Sequence, residues 1–456
     1  MNLSFLRDRA FMSEMRKLAI PVAIQQLITA GLNMIYVLMV GQLGESAIAA
    51  LGLSNQLFFL LILFLFGTSS CMAVFTAQFW GKGEVEPIRK VLGMSLLVSS
   101  LSAGLFALVA TLFPETFLRF YTKDTEVIAL GASYLRIVGL SYVLVAISNS
   151  YIAVLRSTRR VQMTVIVTSI ALFLKTGLGY ALIFGLGGLP ALGVRGAAIG
   201  TASGWTIELL LLLILVYALK TPLAASPLTF FRFDMSFFGR VLKTSMPAAA
   251  NEVIWSVGMT VYAAVYAHIG TDAIAAINVN TTIEELGFVV FMGLGNACAV
   301  MVGNRIGAGQ KQAAYETAWN TLILSLLAAI LLGLIVIPLR GPIVGLYQLS
   351  LRGEANVRGL LLMMALTLWL RMHNFTLFIG ALRAGGDTRF GLIMELLSVW
   401  LIGVPAALIG GFILRLPVYW VYLMVISEEA VKAIVIQWRF RSRKWIHDLV
   451  NISESP

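Results

Sequence analysis

About twelve apolar runs, each long enough to cross a bilayer as a helix, follow one another along this 456-residue chain. One crossing needs roughly 20 mostly apolar residues. The runs lie near residues 18–40, 54–79, 91–113, 128–155, 161–186, 196–219, 244–267, 277–302, 316–339, 359–382, 390–414 and 418–438. Hydrophobic residues make up 59% of the chain and charged residues 12%, which no water-soluble core accommodates. The sequence therefore predicts an all-α membrane protein with twelve transmembrane helices.

The distribution of basic residues predicts the orientation of these helices. With the N-terminus inside, the inside segments carry 22 of the 33 lysines and arginines, and the outside loops carry 7. Cytoplasmic loops of membrane proteins are enriched in these residues. We therefore expect a multi-pass protein of the inner or plasma membrane with both termini in the cytoplasm. The net charge of +11 is explained by the same bias, so we expect no nucleic-acid partner.

An internal repeat divides the chain into two halves. Residues 16–83 align with residues 242–309 at a constant offset of 226, with 16 identities over 68 positions. The pairs include Pro21 with Pro247 and Gly44 with Gly270, residues that chance similarity between apolar runs would not place in one register. The repeat predicts a parallel duplication into two six-helix lobes, 1–222 and 223–456, joined by a cytoplasmic linker at about 220–240. Such lobes, facing each other across a cavity, are typical of alternating-access transporters.

Charged residues in the predicted spans differ between the two lobes. The N-terminal lobe has Arg136, Lys175 and Glu208, whereas the C-terminal lobe has six glutamates and two basic residues: Glu252, Glu284, Glu285, Glu395, Glu428, Glu429, Arg371 and Lys432. Charge inside a bilayer is costly and usually functional. We predict that Glu252, Glu285 and Glu395 take up the coupling ion near the middle of the membrane, with Arg371 as the internal counter-charge.

These glutamates also have structural interpretations. Glu252 is alternatively a packing residue paired with Arg371, and Glu284 points in another direction, toward lipid headgroups or a neighbour. Glu428, Glu429 and Lys432 have the i,i+3 and i,i+4 spacing of an internal ion-pair network on one helix. In the N-terminal lobe, Lys175 and Glu208 either pair with each other or Lys175 acts as a fixed positive charge in place of a bound cation.

An aromatic face predicts the substrate class. Glu252, Trp255, Met259, Tyr262 and Tyr266 follow helical spacing. A carboxylate with aromatic and thioether neighbours attracts lipophilic cations, so we predict that Trp255, Met259 and Tyr262 contact the substrate. The alternative is a helix-packing face. At the repeat offset Gln26 matches Glu252 and Tyr36 matches Tyr262, and we assign these two residues to the same substrate site.

Catalytic and cofactor chemistry have little support in the sequence. Two cysteines and three histidines, Cys71, Cys298, His268, His373 and His447, leave little for a metal site. Glycine clusters such as Gly185-Leu-Gly-Gly lack the Lys-Ser/Thr of a phosphate-binding loop. We expect no metal, no cofactor other than a coupling H⁺ or Na⁺, and no enzymatic activity.

A series of motifs, read in order, resembles the multidrug and toxic compound extrusion (MATE) family over nearly the full length. They are Met39-Val-Gly-Gln-Leu-Gly, Gly193-Val-Arg-Gly-Ala-Ala-Ile-Gly-Thr, Asn251-Glu-Val-Ile-Trp, Gly303-Asn-Arg-Ile-Gly-Ala-Gly, Gly380-Ala-Leu-Arg-Ala-Gly-Gly-Asp-Thr, Val399-Trp-Leu-Ile-Gly-Val-Pro and Glu428-Glu…Lys432. The resemblance implies two lobes of six helices and secondary active export of organic cations in exchange for H⁺ or Na⁺. It also implies that Glu252 is the acidic position of the seventh helix used for cation coupling in one branch.

Two positions depart from the family pattern. Many members carry an aspartate on the first helix, five residues before the Val-Gly glycine, where this chain has Tyr36. The coupled branch also has an acid on the tenth helix, where this chain reads Arg371-Met-His373-Asn374. We therefore expect Glu252 to work with Glu285 or Glu395, or the protein to couple differently from the studied types.

Two further functions stay open at this stage. A flippase for lipid-linked precursors or polysaccharides, from the same superfamily, would favour cavity cations such as Arg136, Lys175 and Arg371. A membrane-embedded enzyme or passive receptor would need a catalytic constellation, which the sequence lacks. We expect a monomer that binds organic cations and the lipid bilayer. The sequence leaves the individual substrate and the choice between H⁺ and Na⁺ undetermined.

Overall fold

The computed structural model describes residues 8–347 and 349–450, and all regular secondary structure in these ranges is helical. The helices are α1 (Arg9–Gly41), α2 (Glu45–Lys82), α3 (Val85–Leu112), α4 (Pro114–Arg119), α5 (Thr125–Gly139), α6 (Tyr142–Ser157), α7 (Val161–Phe184), α8 (Val194–Ala218), α9 (Pro227–Phe230), α10 (Met235–Ile269), α11 (Thr271–Gly307), α12 (Lys311–Val344), α13 (Leu351–Arg383), α14 (Thr388–Ile413) and α15 (Val418–Arg441). The predicted all-α fold is confirmed.

Nine of these helices are long and apolar enough to cross a membrane, counted over the described ranges: α1, α2, α3, α7, α8, α11, α12, α13 and α14. The pair α5 and α6, bent by 50° at its break, forms a tenth span when taken together. The two other predicted spans are α10 and α15, long helices that do not meet the same test in the part described. They carry the polar residues Glu252 and Glu428 to Lys432, which lower their apolarity. Ten of the twelve predicted spans thus meet the test in the described ranges, and α10 and α15 stay predicted spans.

The chain forms two compact units. The first unit runs from Ile24 to Ser245, and the second combines the chain from Met246 onward with the residues before Ile24. The first part of α1 thus belongs with the second unit. The lobe boundary predicted at 222/223 rests on the sequence repeat and stays a prediction.

In the first unit, α8 packs closely against α7. Three glycines of α8, Gly196, Gly200 and Gly204, are spaced four residues apart and face α7. A Cβ atom on Gly200 would lie 2.6 Å from the Cα of Gly179, and one on Gly204 would lie 2.5 Å from the Cβ of Lys175. Small residues at this spacing let two membrane helices approach closely. The same packing fixes where the Lys175 side chain leaves α7.

The described part of the second unit contains three π-helical turns, at Thr376–Arg383 in α13 and at Val399–Gly403 and Ile409–Ile413 in α14. A π turn inserts one residue per turn and rotates the side chains that follow it, which is why such turns are common at functional sites. The first of these turns ends at Arg383. The second ends at Gly403, where a Cβ atom would collide with the hydroxyl of Tyr262 and the carboxylate of Glu428.

Candidate functional site

A cluster of buried charges surrounds Lys432 of α15 in the second unit. Its Nζ lies 3.1 Å from Glu395 of α14 and 3.5 Å and 3.4 Å from Glu428 and Glu429 of its own helix. Lys432 is 5% exposed, Glu428 6% and Glu395 7%. The predicted network of Glu428, Glu429 and Lys432 is confirmed, and it extends to Glu395 on the neighbouring helix.

Neutral hydrogen-bond donors complete this cluster. The Tyr262 hydroxyl of α10 donates to Glu428 Oε2 at 2.6 Å, in the space that Gly403 leaves open. The Asn374 side chain of α13 donates to Glu429 Oε2 at 2.6 Å. Hydrogen bonds to the charged form stabilise a buried carboxylate. Two of the three carboxylates thus have a donor in addition to the shared lysine.

Glu252 of α10 is paired with Arg383 at the end of α13. Arg383 Nη2 donates to Glu252 Oε1 at 2.7 Å, and both side chains are buried. The prediction that Arg371 balances Glu252 is therefore wrong. Arg383 was missed because the predicted span ended at residue 382, one residue too early, and the arginine was counted with an inside loop. The π-helical turn carries it inward to Glu252.

Arg371 has its own partners. It forms an ion pair with Glu284 of α11, and its Nη1 donates to the Tyr422 hydroxyl at 3.3 Å. Of the two expectations for Glu284, lipid headgroups or a neighbour, the second is confirmed, because the carboxylate turns toward Arg371 on the neighbouring helix α13. One face of α11 supplies this carboxylate, while the adjacent Glu285 lies on an exposed face of the helix. Glu285 forms no ion pair within the described residues.

Together these residues form what we call the acidic network: Glu252, Glu284, Glu395, Glu428, Glu429, Arg371, Arg383 and Lys432. The ion pairs within it are close enough to interact electrostatically with one another, as Arg371 does with Glu429 and Glu252 with Glu395. Five carboxylates face three basic side chains, so the network carries two excess negative charges when all its groups are ionised. Such an excess in a buried, membrane-level site favours the binding of a proton or a cation.

The predicted aromatic face of α10 is divided in the structure. Glu252, Tyr262 and Tyr266 are buried, whereas Trp255 is 39% and Met259 42% exposed. Tyr262 contacts the acidic network through Glu428. Trp255 and Met259 are left uncovered by their own unit, so they remain available to a ligand but do not form one surface with Tyr262. Their role in substrate binding stays a prediction.

A second cluster lies in the first unit, around Lys175 of α7. The Lys175 Nζ lies 4.9 Å from the ring centre of Tyr36 and 5.9 Å from that of Trp205. The Tyr36 hydroxyl donates a hydrogen bond to the carbonyl oxygen of Ala197 and lies 2.8 Å from the hydroxyl of Thr201. Gln26, the other residue assigned to the substrate site, is half-buried.

Glu208 of α8 does not pair with Lys175 within the described residues. Its Oε1 accepts a hydrogen bond from Thr168 at 2.7 Å. The predicted Lys175–Glu208 ion pair is therefore not formed, although the two charges interact electrostatically. Arg136, which the sequence places in a span, pairs with Glu115 at 3.0 Å and is half exposed.

The turn between α13 and α14 joins the acidic network to the end of the chain. Asp387 of this turn accepts a hydrogen bond from Arg439 Nε at 2.6 Å, and its other oxygen lies 3.8 Å from His447 Nε2. Burial alone would raise the pKa of Asp387, but the hydrogen bonds and charges of His447 and Arg439 outweigh it and hold the pKa below its usual value. The buried Trp445 stacks on Phe440 and closes against Gly385. Two sets of contacts therefore hold the turn that follows Arg383: the hydrogen bond and charges at Asp387, and the packing of Trp445 against Gly385.

Comparison with known proteins identifies the family. The MatE family model matches residues 21–181 and again residues 247–409. The two matches begin 226 residues apart, which is the offset of the internal repeat. They cover more than half of the chain, so they show membership.

Curated relatives match over most of their length. The chain is 28% identical over 431 residues to the probable multidrug resistance protein NorM of Rhizobium meliloti, covering 93% of this chain and 91% of the relative. It is 26% identical over 408 residues to the multidrug resistance protein PmpM of Pseudomonas aeruginosa, covering 88% and 84%. It is also 25% identical over 412 residues to an uncharacterized transporter, YisQ, of Bacillus subtilis, covering 90% of each.

Solved structures agree in fold. A MOP superfamily transporter from Pyrococcus furiosus superposes with a TM-score of 0.85 at 18% identity, covering 94% of this chain and 95% of the other. A mutant of the Vibrio cholerae MATE transporter VcmN superposes with a TM-score of 0.87 at 16% identity, covering 96% and 98%. At these identities the likeness establishes the fold. From the fold and the double family match, the chain belongs to the MatE family of multi-span membrane transporters.

Proposed function

We propose that this protein exports organic cations across the inner or plasma membrane in exchange for H⁺ or Na⁺. The observation that carries the proposal is the charge of the acidic network, in which five carboxylates, three of them buried and two half-buried, face three basic side chains. The relatives named as multidrug resistance proteins support small drug-like substrates.

The coupling follows from electrostatics. Burial disfavours an ionised carboxylate unless a cation is close, and the three basic residues of the network neutralise only part of its charge. A proton or a sodium ion bound from outside removes part of the excess, and a substrate cation removes it equally well. Since the same negative charge attracts both, the inward movement of one ion can drive the outward movement of the other during alternating access.

Glu252 is the residue through which we expect the substrate and the coupling ion to compete. It lies on α10, the helix that also presents Trp255 and Met259, each of which is left uncovered by the second unit. Among the described residues Glu252 has one basic partner, Arg383, whereas Glu395 shares Lys432 with two other carboxylates. We assign Glu395 to the same coupled set, and Glu285, the exposed carboxylate next to Glu284, as a site where an arriving cation is first attracted.

Gradient-driven transport tests the proposal. Purified protein in lipid vesicles is given ethidium and an imposed pH gradient, a sodium gradient, or none, and ethidium movement is followed by fluorescence. We expect movement on at least one gradient and its loss in Glu252→Gln. The matched control is Glu354→Gln, which should transport normally, since the ion pair of Glu354 in the described ranges is with its exposed helix neighbour Arg358. Equal transport without any gradient, or an unimpaired Glu252→Gln variant, would overturn the proposal.

A further inference from the structure

The first unit contains an aromatic site that is already occupied by a side chain. The Trp205 ring stacks on Phe58 with a centroid distance of 4.7 Å, and Tyr142 lies 6.3 Å from Trp205. Tyr36 faces the same space from α1. The aromatic site thus consists of two half-buried rings, Phe58 and Trp205, and two buried rings, Tyr36 and Tyr142. Aromatic ring faces bind organic ammonium ions.

The ammonium group of Lys175 lies over two of these rings, Tyr36 and Trp205. Its position is built into the fold, because Gly204 of α8 leaves room for nothing larger than hydrogen beside the Lys175 Cβ. No carboxylate lies within ion-pair distance of its Nζ in the described part of the chain, and Glu208 is instead bonded to Thr168. The rings therefore supply the short-range attraction that holds this cation.

An organic cation would need the same place. A second positive charge beside Lys175 would be repelled at close range in a medium of low dielectric constant, and the ring faces that would attract it are already in use. Lys175, Trp205 and Glu208 are all partly exposed, so a ligand is kept out by charge rather than by complete burial. We propose that Lys175 is a tethered cation that excludes organic cations from the aromatic site of the first unit and so confines their binding to the second unit.

The inference deepens the proposed function and rests on its assignment of organic cations as substrates. It makes Lys175 a specificity-determining residue that acts by exclusion. Its removal should therefore create binding. A neutral residue of similar length at position 175 would remove the repelling charge and leave the rings and the Glu208 carboxylate, which together form a cation site.

Equilibrium binding of tetraphenylphosphonium to the purified full-length protein tests the inference. We expect Lys175→Met to bind one more equivalent than the wild type, or to bind about tenfold more tightly, as two ring contacts allow. Lys175→Arg, which keeps the charge, should bind like the wild type. Lys175→Met combined with Trp205→Ala should lose the gain, which shows that the new site uses the rings and is not non-specific binding.

Contrary results are equally clear. Unchanged binding in Lys175→Met, or the same gain in Lys175→Arg, would overturn the inference. If Lys175→Met does not elute as a single species in gel filtration, Lys175→Gln carries the same expectation. This experiment and the transport experiment can fail independently. A wild-type protein that transports ethidium equally with and without a gradient would refute the proposed function. The number of tetraphenylphosphonium sites on the Lys175→Met variant could still be measured in that case.

Discussion

Glu252 and Arg383 form a buried ion pair between α10 and the last π-helical turn of α13, with 2.7 Å between Oε1 and Nη2. The pair joins the helix that carries the proposed coupling residue to the turn that Asp387 and Trp445 hold in place. We expect a cation or proton that neutralises Glu252 also to release Arg383. In the proposed function, we therefore expect the coupling ion to act through this pair on the loop between α13 and α14.

Breaking this pair from its basic side should be costly. Arg383→Met leaves Glu252 buried without a counter-charge, and we expect a loss of about 3–5 kcal/mol in the free energy of unfolding. Glu252→Gln combined with Arg383→Met should be more stable than the single Arg383 variant, since the orphan charge is gone. Denaturant unfolding of both single variants and the double variant measures the coupling. Strictly additive losses would show that the two side chains do not interact.

Replacing Lys432 should reduce stability more than replacing Arg383, because Lys432 is the counter-charge of three carboxylates. Lys432→Met is expected to abolish gradient-driven transport and to lower thermal stability. Adding Glu395→Gln should restore part of the stability, since one of the repelling charges is removed. The comparison variant is Lys90→Met, which loses an exposed i,i+4 pair with Glu86 and should change neither property by much. A stable, active Lys432→Met variant would contradict the network described above.

Gly403 tests the steric part of the site. A methyl group there collides with the Tyr262 hydroxyl and the Glu428 carboxylate, so Gly403→Ala should break their hydrogen bond and cost about 1–3 kcal/mol. Gly341→Ala is the matched control, since nothing lies within 4 Å of a Cβ at that position of α12. Thermal unfolding and ethidium transport should both distinguish the two variants. Equal melting temperatures and equal transport rates for the two variants would mean that the space beside Gly403 is not needed for the Tyr262–Glu428 hydrogen bond.

Asp387 should make stability depend on pH in one direction. Its folded pKa lies below its ordinary value, so the stabilisation is present above that ordinary value, about 3.9, and is lost as the pH falls through the folded pKa. Asp387→Asn should therefore lower the melting temperature at pH 7, by about 2–4 °C for each kcal/mol lost. The difference from the wild type should shrink toward pH 3. A difference that grows on acidification would be the wrong sign for this carboxylate.

The sequence predicts most of the fold and only part of the site. Apolar length and the 226-residue repeat are properties of the chain itself, and the ion pairs of Lys432 with Glu428 and Glu429 follow from spacing on one helix. The partners of Glu252 and Arg371 depend on which helices pack together and on π turns that shift the side-chain register, and neither is encoded in local spacing. The difference between Glu252 and Trp255 has the same origin: the two residues are only about 60° apart around α10, yet Glu252 is buried and Trp255 is 39% exposed, because neighbouring helices cover one side chain and not the other.

The central claim is that substrate and coupling ion compete for the same negative charge in the second unit. The most direct measurement is the affinity of the purified protein for tetraphenylphosphonium as a function of pH and of sodium concentration. The account predicts that affinity falls by up to about tenfold per pH unit on acidification, or falls in proportion to added sodium, and that Glu252→Gln removes this dependence. An affinity in the wild type that is unchanged by both ions would contradict it.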